Sequence, residues 1–394
     1  MEKKKASCYA CGNNPIPHFS AKASSHLAAL GAPLGVFIKG PWGRALENLT
    51  DALITGIITL ARVTHLIGFN TDMHDKVGGR GEVIWEEATR RGIKVRQILL
   101  GKIHTDGYEA TFPSGKRIYF MGLPIPKKLQ YQSNSYQWID DKSILKKRLL
   151  AGGVPAPQGG RAVSFSKALN IFNGIRKPVI VKPASGSRGR HTTTFIYTPE
   201  QLKEGFKTAR QIAREVVVEE HLVGSVYRGT VVDGKLRGVL RGDPPRVTGD
   251  GNETIEELIE RKNASLPPNV KLFTITPLTV PFLARNSYTL ETILPKGKTI
   301  DLTEKIGLSY GGYSAEEFPI CHPKIKAALE KAGQIVNFPV MGFDFIIEDI
   351  TKDPDEQFWG IIECNSVPFV DLHHHPASGE PINVAQYVWD LWEK

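Results

Sequence analysis

Two stretches late in the chain alternate apolar and polar residues as half-buried strands do: Gly342-Phe343-Asp344-Phe345-Ile346-Ile347 and Phe358-Trp359-Gly360-Ile361-Ile362-Glu363-Cys364-Asn365. Asp353-Pro354-Asp355 supplies a turn between them. Folding back symmetrically about Asp353 and Pro354 sets Asp344 opposite Glu363. Asn365 then points the same way as Glu363, because strand side chains alternate. Two carboxylates about 5 Å apart in a mostly apolar hairpin repel each other. A bound cation is the natural resolution, and hard oxygen ligands suit magnesium with phosphate. The competing reading is an exposed hairpin with scattered polar residues.

Upstream, the pattern mixes periods. Arg44 to Leu66 carries helical periodicity and Ile93 to Leu100 reads as a strand, while Tyr108 to Phe112 and Arg117 to Phe120 form a hairpin across Pro113-Ser114-Gly115. Gly122-Leu123-Pro124-Ile125-Pro126 continues neither element and marks a boundary. Asp140 or Asp141 caps a helix with Ile144, Leu145, Leu149 and Leu150 on one side, stopped by Gly152-Gly153-Val154-Pro155. Lys142 falls in its first turn, where a cation opposes the helix dipole unless an anion is bound nearby; a solvated lysine is the alternative.

Strand Pro178 to Pro183 leads into Ala184-Ser185-Gly186-Ser187-Arg188-Gly189-Arg190, and strand Thr192 to Tyr197 follows. Such a loop, with Ser187 and Gly189 in it, can bend over phosphates and offer backbone N–H groups, with Lys182, Arg188 and Arg190 supplying charge. It is not a Walker A loop, since no Gly-Lys-Ser/Thr opens a helix. Glu215 to Glu219 reads as a strand that breaks at Glu220-His221-Leu222-Val223-Gly224, an end able to meet an adenine edge. Val226 to Val232 and Lys235 to Arg241 flank the hairpin turn Asp233-Gly234. Thr254 with Glu257 forms a capping box opening a helix from Ile255 to Lys262.

Composition narrows the class. A chain of 394 residues suits two or three packed domains: residues 1–130 as an N-terminal α/β part, 131–215 with the glycine-rich loop, and 216–394 with the metal site. The net charge of +9 suggests an anionic partner. No aromatic-interleaved basic stripe or helix-turn-helix pattern points to nucleic acid. Lys127-Lys128 and Lys146-Lys147-Arg148 read as solvated surface. The most apolar stretch, Ala52 to Ala61, is far shorter than the ~20 residues of a membrane span, and the Met-Glu-Lys-Lys-Lys start lacks an apolar signal core, so a cytoplasmic protein is expected. Cys8 and Cys11 form a CxxC with His18 nearby, but Cys321 and Cys364 are single and remote. A zinc site needs a second pair of ligands at suitable spacing, so unpaired thiols are expected. His373, His374 and His375, adjacent in sequence, do not readily ligate one ion and read as a polar loop.

The order of these parts is more specific than any one of them. The capped helix with Lys142, the Val-Lys-Pro strand with its glycine loop, the Glu-Glu-His-Leu strand end, and Asp344 with Glu363-x-Asn365 resemble the ATP-grasp fold from about Tyr136 to His375. Asp141 to Leu150, Val247 to Leu258, Leu308-Ser309-Tyr310-Gly311-Gly312, and Glu363 to Pro368 followed by His373-His374-His375-Pro376 resemble the ATP-grasp part of cyanophycin synthetases and of bifunctional glutathione enzymes. The resemblance implies an α+β architecture, an ATP-grasp fold preceded by a small α/β domain. It implies Lys142 and Lys182 on the phosphates of ATP, Glu219, Glu220, His221 and Leu222 around adenine, and magnesium, as two ions with manganese as a substitute, on Asp344, Glu363 and Asn365. It further implies a carboxylate-amine ligase working through an acyl phosphate on small amino-acid or peptide substrates; homo-oligomers are compatible with it.

Two positions depart from the family pattern. Val226 stands where an acid for the ribose hydroxyls is usual, and Gly342 stands where an arginine two residues before the metal aspartate is usual. Lys305 and Arg241 are the nearby cations that could stabilise the tetrahedral intermediate. The departures keep two alternatives open, an ATP-grasp kinase phosphorylating a small molecule and a non-catalytic nucleotide-binding module. A Mur-ligase-like domain, into which cyanophycin synthetases continue, is absent from this sequence, so two-step polymer synthesis by the chain alone is not expected.

Overall fold

Period-two alternation sets the strands of antiparallel sheets, and the larger sheets pack apolar faces against helices. The computed structural model describes residues 8–11, 16–23, 66–131, 133, 135, 138–184, 190–266, 272–276, 279–303 and 311–393. The helix expected over Arg44 to Leu66, the glycine-rich residues Ser185 to Gly189 and Lys305 lie outside them, apart from Leu66 at the helix's end.

The first sheet runs β1 (Ile67–Asn70), β2 (Lys94–Leu100), β3 (Ile103–Thr111), β4 (Arg117–Met121), in that order and antiparallel throughout. Helix α1 (Gly79–Arg90) buries Val83, Ile84 and Ala88 in the core shared with this sheet, where Tyr108 stacks on Phe120 at 5.3 Å.

Helix α2 (Lys142–Ala151) follows, capped by Asp141, whose carboxylate accepts the N–H groups of Ser143 and Ile144. Leu145 and Leu149 are fully buried, but Ile144 and Leu150 are about two-fifths exposed, at 40% and 41%, and Lys146 is buried beside them. The second sheet has the order β5 (Gly159–Ala162), β8 (Val216–Glu220), β6 (Val179–Pro183), β7 (Thr193–Ile196). Helices α3 (Phe165–Asn173) and α4 (Pro199–Arg210) cover one face, burying Val179, Val181, Val216 and Val218. By alternation Ile180, Lys182, Val217 and Glu219 leave from the other face. The registers agree, since Ile180 pairs with Glu219 and Lys182 with Val217.

The third sheet holds β9 (Ser225–Val232), β10 (Lys235–Gly242), β13 (Ser314–Glu316), β14 (Val340–Ile347) and β15 (Gly360–Asn365), in the order β13-β10-β9-β14-β15. The β9–β10 turn places Asp233 and Gly234 both at positive φ, 53° and 71°, as a two-residue hairpin of the primed type requires. The small pair β11 (Arg246–Thr248) and β12 (Thr299–Asp301) sits beside helix α5 (Ile255–Ala264), which opens on the Thr254–Glu257 capping box. Helix α6 (Pro323–Val336) buries Leu329 and Val336 in the same core as Phe343 and Phe345. The short helix α7 (Asp371–His374) follows β15, and helix α8 (Val384–Asp390) packs on α1, where Trp389 Nε1 donates to the Ile84 carbonyl at 3.0 Å. One continuous core therefore joins the first and third sheets.

Candidate active site

The β14–β15 hairpin pairs Asp344 directly with Glu363, and Gly342 with Asn365. The three oxygen-bearing side chains share one face, as the alternation predicts. Each carboxylate meets a cation. Arg228, opposite Asp344 on the neighbouring β9, places Nε 2.7 Å from Oδ1 and Nη2 2.9 Å from Oδ2. Lys142 Nζ lies 2.9 Å from Glu363 Oε2. Asn365 Nδ2 donates to Asp344 Oδ2 at 3.4 Å. Hard oxygen donors opposed across a strand pair suit a magnesium ion, and the residues present fit one.

Arg228 was not foreseen. In place of the arginine that the resemblance implied at position 342 stands Gly342, where a side chain would meet Pro368 at 2.9 Å and the Arg228 stem at 3.5 Å. The guanidinium comes instead from the adjacent strand, in the Val226-Tyr227-Arg228 stretch read only as a hairpin arm. Burial disfavours its charge, yet Asp344, with help from Glu363 and Asp371, raises its pKa above the ordinary value.

The second cluster lies on the open face of β6 and β8. Glu219 is buried and both its oxygens take a lysine, Lys182 from β6 and Lys146 from α2. Burial would raise the Glu219 carboxyl, but Lys182 and Lys146 overcome it and hold it at about 2. Burial lowers Lys146 to about 8, partly offset by Glu219, with Lys182 and Lys142 pushing the same way as burial. The reading of Lys146-Lys147-Arg148 as solvated surface is thus corrected at its first member. Lys147 and Arg148 are exposed, with the Arg148 guanidinium over Trp138, 4.4 Å from the ring centre.

Helix α2 connects the clusters. Lys142 and Lys146 are four residues apart, so they share a helix face and stand roughly 6 Å apart along its axis. One reaches Glu363 of the third sheet and the other Glu219 of the second. Four cations (Lys142, Lys146, Lys182, Arg228) face three carboxylates (Glu219, Asp344, Glu363).

The strand end past Glu219 is knit into the protein. The Glu220 carboxylate accepts the Gln158 N–H at 2.8 Å and the Arg176 N–H at 3.4 Å. The Glu220 and His221 N–H groups donate to the carbonyls of Gln158 and Pro178. The His221 ring meets Phe195 edge-on at 4.5 Å, and Leu222 is buried.

Arg241 is not brought to this cluster. It pairs with Tyr227 while Leu240 pairs with Arg228, so its side chain leaves from the opposite face of the sheet to Arg228 and Asp344. There it binds Asp243 at 2.9 Å and Glu317 at 2.5 Å.

The histidines after β15 form a helical turn. His373 is fully buried, with Nε2 2.7 Å from Thr230 Oγ1 and Nδ1 2.6 Å from Glu316 Oε2, and a side chain at Gly238 would collide with its ring. Burial, helped by His375 and His373, lowers His374 to about 4. Arg80 of α1 reaches across to this region, donating to the Val367 carbonyl at 3.2 Å and to Asp106 at 2.6 Å. A cavity of about 700 Å³ opens between the first sheet and the end of β15, lined by Tyr119, Phe120, Leu123, Ile139, Asp140 and Ser366 among others. Among the described residues no helix is long and apolar enough to cross a membrane.

No protein-family model matches the chain. It is 33% identical over 263 residues to cyanophycin synthetase of Trichormus variabilis, covering 64% of this chain and 29% of that protein. It is 27% identical over 320 residues to the glutathione biosynthesis bifunctional protein of Listeria welshimeri, covering 79% and 40%. The bifunctional glutathione synthetase from Pasteurella multocida superposes with a TM-score of 0.57 at 23% identity, over 80% of this chain and 44% of that one. The chain thus spans under a third of the cyanophycin synthetase it matches.

Proposed function

Because the chain is a relative of the ATP-grasp ligases and has their fold, we propose that it joins a carboxylate to an amine at the expense of ATP. The observation that carries this reading is the α2 ladder, in which Lys142 and Lys146 reach carboxylates on two different sheets. A nucleotide triphosphate laid between those sheets meets Lys146 and Lys182 on one side and Lys142 and Arg228 on the other.

The reaction is balanced without a redox partner. A substrate carboxylate takes the γ-phosphoryl group of ATP, releasing ADP; an amine then attacks the acyl phosphate, the carbon–nitrogen bond forms, and inorganic phosphate leaves with the amine's proton passing to a base. Magnesium held by Asp344, Glu363 and Asn365 would supply charge neutralisation on the transferring phosphoryl group. Lys142 would exchange Glu363 for phosphate oxygen. Arg228 holds Asp344 in place and would supply positive charge to the tetrahedral intermediate. The cavity beside Ser366 would take a substrate with an apolar portion, its polar end toward Asp140. Leu222 would pack against the adenine.

The test is a phosphate-release screen across amino acids and short peptides with ATP and magnesium, followed by product masses. Phosphate release that depends on an added amine, with a product lighter by one water than its parts, supports ligation. A phosphorylated product without free phosphate would instead make the chain a kinase.

A further inference from the structure

Away from the carboxylate hairpin, four soft-metal ligands from distant parts of the sequence converge. One ligand atom each from Cys8, Cys11, His18 and His191 lies within 4.8 Å of all the others. Cys11 Sγ is 3.2 Å from His18 Nε2 and 3.3 Å from His191 Nε2, and Cys8 Sγ is 3.6 Å from His191 Nε2. A tetrahedral zinc with bonds of about 2.3 Å to sulfur and about 2.0 Å to nitrogen has ligand–ligand edges of roughly 3.3–3.8 Å. The three sulfur–nitrogen edges, 3.2, 3.3 and 3.6 Å, lie close to that range, and no pair of ligand atoms is farther apart than 4.8 Å.

The surroundings are those of a built site. His191 is fully buried, and its Nδ1 is 2.9 Å from the Thr208 carbonyl of α4. That contact places the ring proton on Nδ1 and leaves the Nε2 lone pair for the cluster, the outer-shell arrangement of a metal-bound histidine. The His191 backbone N–H donates to the Ala10 carbonyl at 2.8 Å, and a positive φ of 53° turns the ring inward. Cys8 and Cys11 close a single turn, with the Cys11 N–H on the Cys8 carbonyl at 3.0 Å. Hydrogen bonding alone does not account for the arrangement. Cys11 has one thiol proton and faces two imidazole nitrogens, while the same His191 nitrogen faces both sulfurs.

We propose that Cys8, Cys11, His18 and His191 bind one structural zinc ion that clamps the Cys8–Cys11 turn and His18 onto the second sheet. Four protein ligands close the tetrahedron and leave no position for substrate, which separates this site from a catalytic one. His191 immediately follows Arg190 at the exit of the glycine-rich segment and precedes β7. Zinc would therefore fix the downstream end of the segment that begins just after Lys182.

The experiment uses the full chain and does not require ATP turnover. Metal analysis of protein purified without chelator should give one zinc per chain. Replacement by Co²⁺ should give the visible bands of a tetrahedral ion with thiolate-to-cobalt charge transfer. Cys11→Ser and His191→Ala should lose the metal, and Cys321→Ser should keep it. Should the ligand variants fail to fold, thiol labelling of the wild type decides: Cys8 and Cys11 should resist alkylation until a chelator is added. Zinc well below one per chain after supply of the ion, an octahedral cobalt spectrum, or a Cys8–Cys11 disulfide in protein prepared under reducing conditions would overturn the proposal.

Discussion

Lys142 and Lys146 stand one turn apart on α2, and their ammonium groups end on carboxylates of different sheets, Glu363 and Glu219. The helix thereby fixes the separation of the two clusters between which a nucleotide would lie. Lys146→Met should raise the KM for ATP by about tenfold or more, with the Lys182–Glu219 pair keeping the second sheet folded. An unchanged KM with intact circular dichroism would remove Lys146 from the phosphate site.

The lowered pKa of Lys146 gives that role a pH signature. The lysine is charged below about 8 and neutral above it, so affinity for the triphosphate should weaken as pH rises through 8. Lys146→Arg, which stays protonated, should flatten the profile. The stability contribution runs the other way. Below 8 the folded state carries the cost of a buried charge, and this cost is relieved as pH rises from 8 toward the unfolded value of 10.5. Nucleotide affinity and thermal midpoint measured over that window should therefore move in opposite directions.

Glu219 holds the same cluster together from the acid side. Its folded pKa of about 2 lies below its ordinary 4.5, so the group stabilises the fold above pH 4.5 and loses that contribution as pH falls toward 2. A shift of this size corresponds to about 3 kcal/mol. Glu219→Gln should cost roughly 3–5 kcal/mol at neutral pH, because two lysines lose their counter-charge, and should remove this part of the acid dependence. Denaturant midpoints that stay unchanged at pH 7 would refute the assignment.

How much of this was legible depended on whether chemistry followed a local period. The Asp344–Glu363 opposition could be read from alternation and one turn, and that pair and Gly342–Asn365 came out as expected, although the register shifts by one after Asp344, where Phe345 pairs with Ile361. Asp141, the Asp233-Gly234 turn and the Thr254–Glu257 box were legible for the same reason, since caps and turns are set within a few residues. Lys146 was not, because a lysine between Leu145 and Lys147 carries no sign of the Glu219 that buries it from 73 residues away. Arg228 escaped because its partner sits on a strand 116 residues later. His191 is 180 residues from Cys11, so the CxxC looked incomplete until the second sheet brought its partner.

The carboxylates on β14 and β15 should be indispensable to turnover and less so to the fold. Glu363→Gln keeps the hydrogen-bonding shape toward Lys142 while removing the charge, and should lower kcat by about two to three orders of magnitude with a thermal midpoint close to that of the parent. Wild-type activity in this variant would make the magnesium assignment untenable.

Arg228 and Arg241 offer a comparison between the faces of the third sheet. Arg228 lies bidentate on Asp344, whereas Arg241 is ion-paired to Asp243 and Glu317 on the other side. Arg228→Gln should cut turnover by about 100-fold and also weaken metal activation, because Asp344 loses the group that orients it. Arg241→Ala should cost stability, about 1–3 kcal/mol from the loss of Glu317's partner, since Asp243 keeps Arg246, while kcat at saturating ATP stays near that of the parent. A steady-state comparison of the two variants, each with its denaturation curve, decides which guanidinium serves the intermediate. If Arg241→Ala loses turnover and Arg228→Gln keeps it, the reacting atoms lie on the opposite face of the sheet from the one proposed.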